Sequence, residues 1–416
     1  MPRQDSSSPI QPPNTGNGPH EQAGKKRPPV LPLIFLTVVV DLIGFGIVIP
    51  VLPLIADTTG ALAWQIGLLM GIYSGMQFLL APVFGQLSDR FGRRPILIFS
   101  MLGLGIGYVF LAFAPSIEWM LFARVWQGIC GANLGAAQAA VADVTTPEDR
   151  AKGMGLIGAA FGIGFVLGPL IGGLASLLTA AAPFLVAALL SFANAFLVWR
   201  LLPETRPRSF APAERLMWPW QRWASLRDQT AFRSLVVTSL VVTTGFSMMT
   251  GIFALYTAGR YGFDISANGF LFAWIGFLAI VVQGGMVGRL SKRFGEWSLA
   301  MVGLLLTAAS LWAMAWSTNS VMFIVFSSFL ALGNSLMTPS LSALGSRLST
   351  AEQQGARLGL MQSSASLGRL LGPILGGVLF PLGALGLPSG GLALACAGVI
   401  VLSAFVFLKK SRLPLA

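Results

Sequence analysis

The sequence predicts an all-α membrane protein of twelve transmembrane helices in two six-helix, pseudo-symmetric halves. Three observations carry that expectation. First, the 416 residues are 55% hydrophobic and only 10% charged, with a mean hydropathy of +0.75. A soluble domain carries about a quarter charged residues, so the solvent for most of this chain is lipid. Second, twelve apolar runs each approach the ~20 residues that a spanning helix needs. Third, two glycine-containing motifs recur in the same order in the two halves.

Residues 1–29 are rich in Pro, Ser, Gln and Asn and are expected to form a disordered cytoplasmic tail. Six runs follow, at 31–55, 65–87, 96–115, 119–142, 153–178 and 182–202, within an N-terminal half of 30–202. Residues 203–232 read as a cytoplasmic central loop. It holds Arg206, Arg208, Arg215, Arg222 and Arg227, and its Trp218, Trp220 and Trp223 suggest a segment lying at the membrane interface. The second six runs are 233–258, 267–290, 298–317, 320–346, 357–380 and 388–408, in a half of 233–410. Residues 411–416 read as a cytoplasmic end. The runs are continuous rather than alternating, which excludes a barrel. In lipid the backbone must satisfy its own polar groups, so the runs are helices.

The net charge of +12 comes from 27 Lys and Arg against 15 acids. Arg124 and Arg369 lie within spans, and Arg260 lies where odd-numbered spans end. Every other Lys or Arg falls on the opposite face, which the positive-inside rule assigns to the cytoplasm. Both termini are therefore expected there, in a bacterial-type inner membrane. The basic surplus is a topogenic signal, and no nucleic-acid partner is expected. Cys130 and Cys396 offer neither a disulfide framework nor metal spacing. There is no Gly-Lys-Ser/Thr phosphate loop, so ATP is not the expected energy source.

The repeat is explicit. Gly85-Gln86-Leu87-Ser88-Asp89-Arg90-Phe91-Gly92 is similar to Gly288-Arg289-Leu290-Ser291-Lys292-Arg293-Phe294-Gly295. Gly168-Pro169-Leu170-Ile171-Gly172-Gly173 is similar to Gly372-Pro373-Ile374-Leu375-Gly376-Gly377. Six spans per half bring both halves into the membrane from the same side, as parallel repeats that can rock about a midplane cavity.

Asp41 is the one acid of the chain well inside a span. It lies about ten residues, or ~15 Å, into span one. A carboxyl at that depth either loads and releases a proton or joins helices through backbone hydrogen bonds. Arg124 overlaps it in depth, as a partner for its carboxyl or as a brace between spans one and four. Arg369 sits in span eleven, and spans seven to twelve contain no acid. It can pair with Asp41, bind an anionic group or bond to backbone carbonyls. Gln77, Asn133, Gln138, Gln283, Asn334 and Gln362 are polar positions inside spans and candidates for lining a substrate cavity.

These residues carry a family resemblance. Gly85 to Pro95 resembles the loop 2–3 signature of the major facilitator superfamily. Asp41-Leu42-Ile43-Gly44-Phe45-Gly46 with Pro50 and Pro53 resembles the first-helix motif of its twelve-span drug/proton antiporters. Gly164 and Gly168 to Gly173 resemble the fifth-helix antiporter motif. Arg124 with Gln127, Gly128, Gly131 and Ala132 resembles the fourth-helix motif, and Gln138 to Asp143 is similar to the end of that helix in tetracycline/proton antiporters. The resemblance covers 31–410. It implies the major facilitator fold and a proton-coupled efflux antiporter for amphipathic drug-like compounds, tetracycline first among them. The proton gradient supplies the energy, with no cofactor and no metal. The expected partners are protons, membrane lipid and a small amphipathic substrate, and the chain is expected to be a monomer, not an enzyme. A multidrug exporter, an exporter of an endogenous lipid or metabolite, and a symporter or uniporter are the alternatives.

The resemblance also implies site roles. Asp41 and Arg124 carry the proton. Gly85, Asp89, Arg90, Gly92, Arg93 and Asp143 form a cytoplasmic gate held by salt bridges. Gly164, Gly168, Pro169, Gly172 and Gly173 give span five a small-residue packing face. Lys292 stands where the second copy would repeat Asp89, so no equivalent gate is expected there. The tetracycline antiporters carry a histidine and an aspartate in second-half helices, whereas spans eight and nine here contain neither.

Overall fold

The computed structural model describes residues 30–145, 150–205, 221, 230–349, 354–382 and 386–410. Residues 1–29 and 411–416, and nearly all of the central loop with its arginines and tryptophans, lie outside the described residues. In the first half, span one is Val30–Thr58, span two Ala63–Phe91 and span three Arg93–Ala112. Span four is Ile117–Cys130 followed by Leu134–Val144. Span five is Arg150–Ser176 and span six Ala182–Leu201.

In the second half, span seven is Thr230–Tyr261, which makes the last residues of the expected central loop helical. Span eight runs from Ile265–Val281 through a π turn, Val282–Met286, into Val287–Phe294. Span nine is Glu296–Ala315, span ten Ser320–Arg347, span eleven Gln354–Leu379 and span twelve Gly391–Lys410. The end at which span one begins is called proximal here, and the opposite end distal.

Most helices extend a turn beyond the apolar runs, because polar residues continue each helix outside the hydrocarbon. Ten of the described helices are long and apolar enough to cross a membrane. The two spans that fall short are four and eleven. Span four is interrupted at Gly131–Asn133. Span eleven carries Arg357, Gln362, Ser363, Ser364, Ser366 and Arg369. Spans two and three are joined by Gly92 alone, at φ +102°, and spans eight and nine by Gly295 alone, at φ +78°. Only glycine reaches this region without strain, so each one-residue turn depends on it. Asp264 and Asn319 cap spans eight and ten by accepting from Ala267 N (2.7 Å) and Met322 N (2.9 Å).

The packing repeats between halves. Span one lies along span five, as span seven lies along span eleven; span three pairs with span six, as span nine pairs with span twelve. The halves meet along two related seams, span two on span eleven and span five on span eight. At the distal end these seams close backbone to backbone. A Cβ at Gly67 would strike the Pro373 carbonyl, and one at Gly71 would stand 2.5 Å from the Leu370 carbonyl. A Cβ at Gly269 would stand 2.7 Å from Gly173 Cα. Toward the proximal end this close contact is not repeated among the described residues: outside its own helical turn, none of their atoms lies within 4 Å of a Cβ built at Gly85, Gly284, Gly285, Gly288 or Gly359. The π turn of span eight takes the place of Pro82 in span two, so the two copies interrupt the same helix by different means.

Candidate functional site

The span one segment around Asp41 is held by contact with glycines. A Cβ at Gly164 would stand 2.5 Å from Leu42 Cβ, and one at Gly168 would stand 2.6 Å from Gly46 Cα. Gly172 faces the Ile47 carbonyl at 3.0 Å. Gly173 turns to the other half and meets Gly269. Pro169 lies inside the span five helix. The second half repeats this face: Gly368, Gly372 and Gly376 receive span seven at Leu240, Thr244 and Met248, while Gly377 meets Ala63 across the seam. Close approach of small-residue faces is how helices associate in lipid.

Asp41 is half-buried and borders a cavity of about 10 Å³ lined also by Thr37, Val38, Leu97, Met101, Asn133, Leu134 and Ala137. Asn133 lines the same cavity and stands beside the Asp41 carboxyl. The break in span four makes this possible. Asn133 occupies the N-cap of Leu134–Val144, yet its side chain makes no capping bond and borders the cavity beside Asp41. The Thr37 carbonyl is tied to span six by Asn194 Nδ2 at 3.0 Å.

Arg124 is fully buried. Its Nε donates to the Leu69 carbonyl (3.3 Å) and its Nη1 to Gln127 Oε1 (3.0 Å). Its guanidinium lies 4.5 Å from the centre of the Tyr73 ring, within cation–π range. Asp41 and Arg124 therefore share a neighbourhood without forming an ion pair, and Tyr73 is the group that faces both. Gln77 Nε2 donates to the Tyr73 hydroxyl (3.0 Å) and to the Gly131 carbonyl (2.7 Å), bracing the span four break. Tyr108 brings a second phenol over Gly44. Arg369 faces Tyr73 from span eleven and donates to Ser366 Oγ (2.8 Å).

Of the expected cavity positions, Gln77 and Asn133 join this cluster. Asn334 accepts from Thr338 on its own helix. Gln283 is exposed in the π turn, and Gln138 and Gln362 are half-buried. Tyr73 was not singled out from the sequence. The available signal was scarcity: the chain has four tyrosines, and Tyr73 and Tyr108 are the two in the first half.

At the proximal face the expected charge cluster forms within the first half. Arg93, 5% exposed, reaches Asp89 (2.8 Å) and Asp143 (3.1 Å) and donates to Ser88 Oγ (2.6 Å). Its backbone N–H donates to Glu204 Oε1 (2.8 Å), a residue not anticipated from the sequence. Gly92 lies against the Glu204 carboxylate, where a side chain would clash. Arg90 is exposed and stacks on Phe91. The second half carries an ion pair that the sequence reading did not name. Glu296 and Arg347 lie 2.6 Å apart, and the repeat places them at the positions of Arg93 and Asp143. The charges are exchanged between copies, and Lys292, at the position of Asp89, is not part of the pair.

Comparisons with known proteins agree with this architecture. The family model described as Major Facilitator Superfamily matches residues 34–302 and 284–415. The chain is 36% identical over 355 residues to the tetracycline resistance protein, class C, of Escherichia coli, covering 82% of this chain and 87% of that one. It is 31% identical over 351 residues to the class B protein of Escherichia coli, covering 82% and 86%. Its fold matches the crystal structure of the human organic anion transporter MFSD10 (TETRAN) with a TM-score of 0.71 at 26% identity, covering 92% of this chain and all of that one.

Proposed function

The chain belongs to the major facilitator superfamily and is a multi-pass membrane transporter, and we propose that it exports amphipathic drug-like compounds in exchange for protons, with tetracycline as the first substrate to test. The observation that carries the reading is Asp41. It is the one acid of the chain well inside a span, it shares a cavity with Asn133, and it shares Tyr73 with Arg124. A carboxyl at that depth is costly unless its charge state is used. The likeness to tetracycline resistance proteins supports efflux and the choice of compound.

The proximal face is assigned to the cytoplasm of a bacterial-type inner membrane on its Lys and Arg content. The distally sealed seams then describe an inward-facing conformer, ready to take a compound from the cytoplasm or the inner leaflet. Proton binding at Asp41 from outside and substrate binding from inside stabilise opposite-facing states. Exchange follows from their differential affinity for the two. The Arg93 cluster is complete in this conformer, so it acts as a brace that keeps the proximal ends of spans two, three, four and six together while the halves rock. The protein works as a monomer with the proton gradient as its energy source.

The test is proton movement in liposomes holding purified protein and a trapped pH dye. Tetracycline should drive proton flux in the antiport direction, and Asp41→Asn should abolish it. Flux that persists in Asp41→Asn removes Asp41 as carrier. Flux in the same direction as the compound replaces antiport with symport.

A further inference from the structure

Thr37 lies one helical turn before Asp41 on the same face of span one and lines the same small cavity. Its side chain differs from the threonines of span seven. A threonine buried in a helix commonly donates its hydroxyl to the carbonyl four residues back. Thr238, Thr244, Thr250 and Thr257 of span seven all do so, at 2.8 to 3.0 Å. Thr37 does not. Its Oγ1 is buried and has no partner, and the residue is 1% exposed. A buried hydroxyl in that condition is destabilising unless something else satisfies it.

Three polar residues thus line one cavity: Thr37, whose hydroxyl has no other partner, Asp41 and Asn133. Its volume of about 10 Å³ is about that of one water-sized sphere, and a buried water needs two to four polar partners. The remaining wall is apolar, from Val38, Leu97, Met101, Leu134 and Ala137. Asn133 is released from capping duty to face this space.

We propose that the cavity is a site for a single water molecule, bound by Thr37, Asp41 and Asn133, and that protons reach and leave Asp41 through it. The reading rests on Asp41 as proton carrier. The step is a balanced transfer. The bound water, as hydronium, gives one proton to the Asp41 carboxylate, leaving neutral water and neutral acid; discharge is the reverse. Thr37 and Asn133 are positioning residues that hold the water oxygen within reach of the carboxylate. The ionisable side chains that face Asp41 are Tyr73 of span two and Tyr108 of span three, with Arg124 facing both tyrosines. Span five meets this stretch of span one through Gly164, Gly168 and Gly172, and span six adds Asn194.

The experiment is an infrared pH titration of the Asp41 carboxyl band in the full chain reconstituted in lipid, with the band identified by its loss in Asp41→Asn. It is paired with proton flux in liposomes. Variants are Thr37→Val, Thr37→Ser and Asn133→Leu. Valine matches threonine in shape and lacks only the hydroxyl. The expected result is a changed Asp41 titration curve and a proton flux about tenfold lower in Thr37→Val, within the range that positioned proton transfer contributes. Thr37→Ser should restore both, and Asn133→Leu, which fills the cavity, should act like valine. An unchanged curve and flux in Thr37→Val would overturn the proposal, since a hydroxyl with only a packing role is dispensable. A titration that responds to sodium at constant pH would overturn it too, by making the site a metal-cation site. The titration needs no substrate, so the absence of any compound-driven flux would sink the antiporter reading while the infrared result still decides the water site.

Discussion

Arg347 donates to Glu296 across 2.6 Å at the proximal ends of spans ten and nine, at the positions where the other half places Asp143 and Arg93. The same two helix ends are tied in both halves, with the charges exchanged. The sign of each partner is therefore free, and the attraction between them is what both copies keep. Glu296→Arg sets two cations side by side and should lower transport several-fold. Glu296→Arg with Arg347→Glu should recover most of it. Arg347 is 68% exposed, so the thermal effect of either single change should correspond to at most about 1 kcal/mol. Transport assays and melting curves of the three variants check both expectations.

Arg93 is a different matter. It is 5% exposed and holds Asp89, Asp143 and Ser88 together. Arg93→Ala leaves two carboxylates facing each other without their cation. The cost should be about 2–3 kcal/mol, below the full value for a buried pair because Asp89 is 48% exposed. Arg93→Lys should recover little, because one ammonium cannot reproduce a planar fork with separate partners. Melting curves that leave Arg93→Ala as stable as Arg347→Ala would contradict this ranking.

Glycines sort by what they touch. Gly168→Ala and Gly372→Ala each drive a methyl into a neighbouring backbone and should each lose about 1–3 kcal/mol, with a lowered melting temperature. Gly85→Ala meets nothing within 4 Å and should be neutral or slightly stabilising. A loss of transport in Gly85→Ala at unchanged stability would place its role in the movement of the halves rather than in their packing.

The two one-residue turns should respond unequally. Gly92→Ala combines positive φ with a collision against the Glu204 carboxylate, whereas Gly295→Ala has positive φ and open space. The conformational cost, ~1–2 kcal/mol, is common to both. The collision adds to it only at Gly92. Equal losses of stability in the two variants would show that Glu204 yields freely.

Tyr73→Phe keeps the ring beneath Arg124 and removes the hydroxyl that accepts from Gln77. It should fold normally and alter transport modestly. Tyr73→Leu removes the ring as well, leaves the buried Arg124 without it, and should lose about 1–2 kcal/mol more. The comparison of melting temperature and flux between the two separates the ring from its hydroxyl.

Spans and repeat were legible because both are written in composition and order: twelve long apolar runs, and two motifs returning in sequence. Asp41 stood out because an acid at that depth has no cheap explanation. What escaped notice depends on geometry between distant segments. Tyr73 matters because Arg124 stacks on it from another span. The break of span four needed the Gly131-Ala132-Asn133 stretch to be read as an interruption and not as packing. Glu204 acts through the backbone of Arg93, 111 residues away. Glu296 and Arg347 were visible in principle, since the repeat maps them onto Arg93 and Asp143. They were hidden by the assumption that a copied function keeps the sign of its charges.

The distal seams have a pharmacological consequence. They are closed by main chain against main chain, at Gly71 with Leu370 and at Gly173 with Gly269. With the proximal face in the cytoplasm, as proposed above, an inhibitor aimed between the halves of this conformer would cross the membrane first and approach from the proximal end, where the glycines of spans two and eight stand clear. Medicinal chemistry against this state therefore begins with permeability, and affinity comes second.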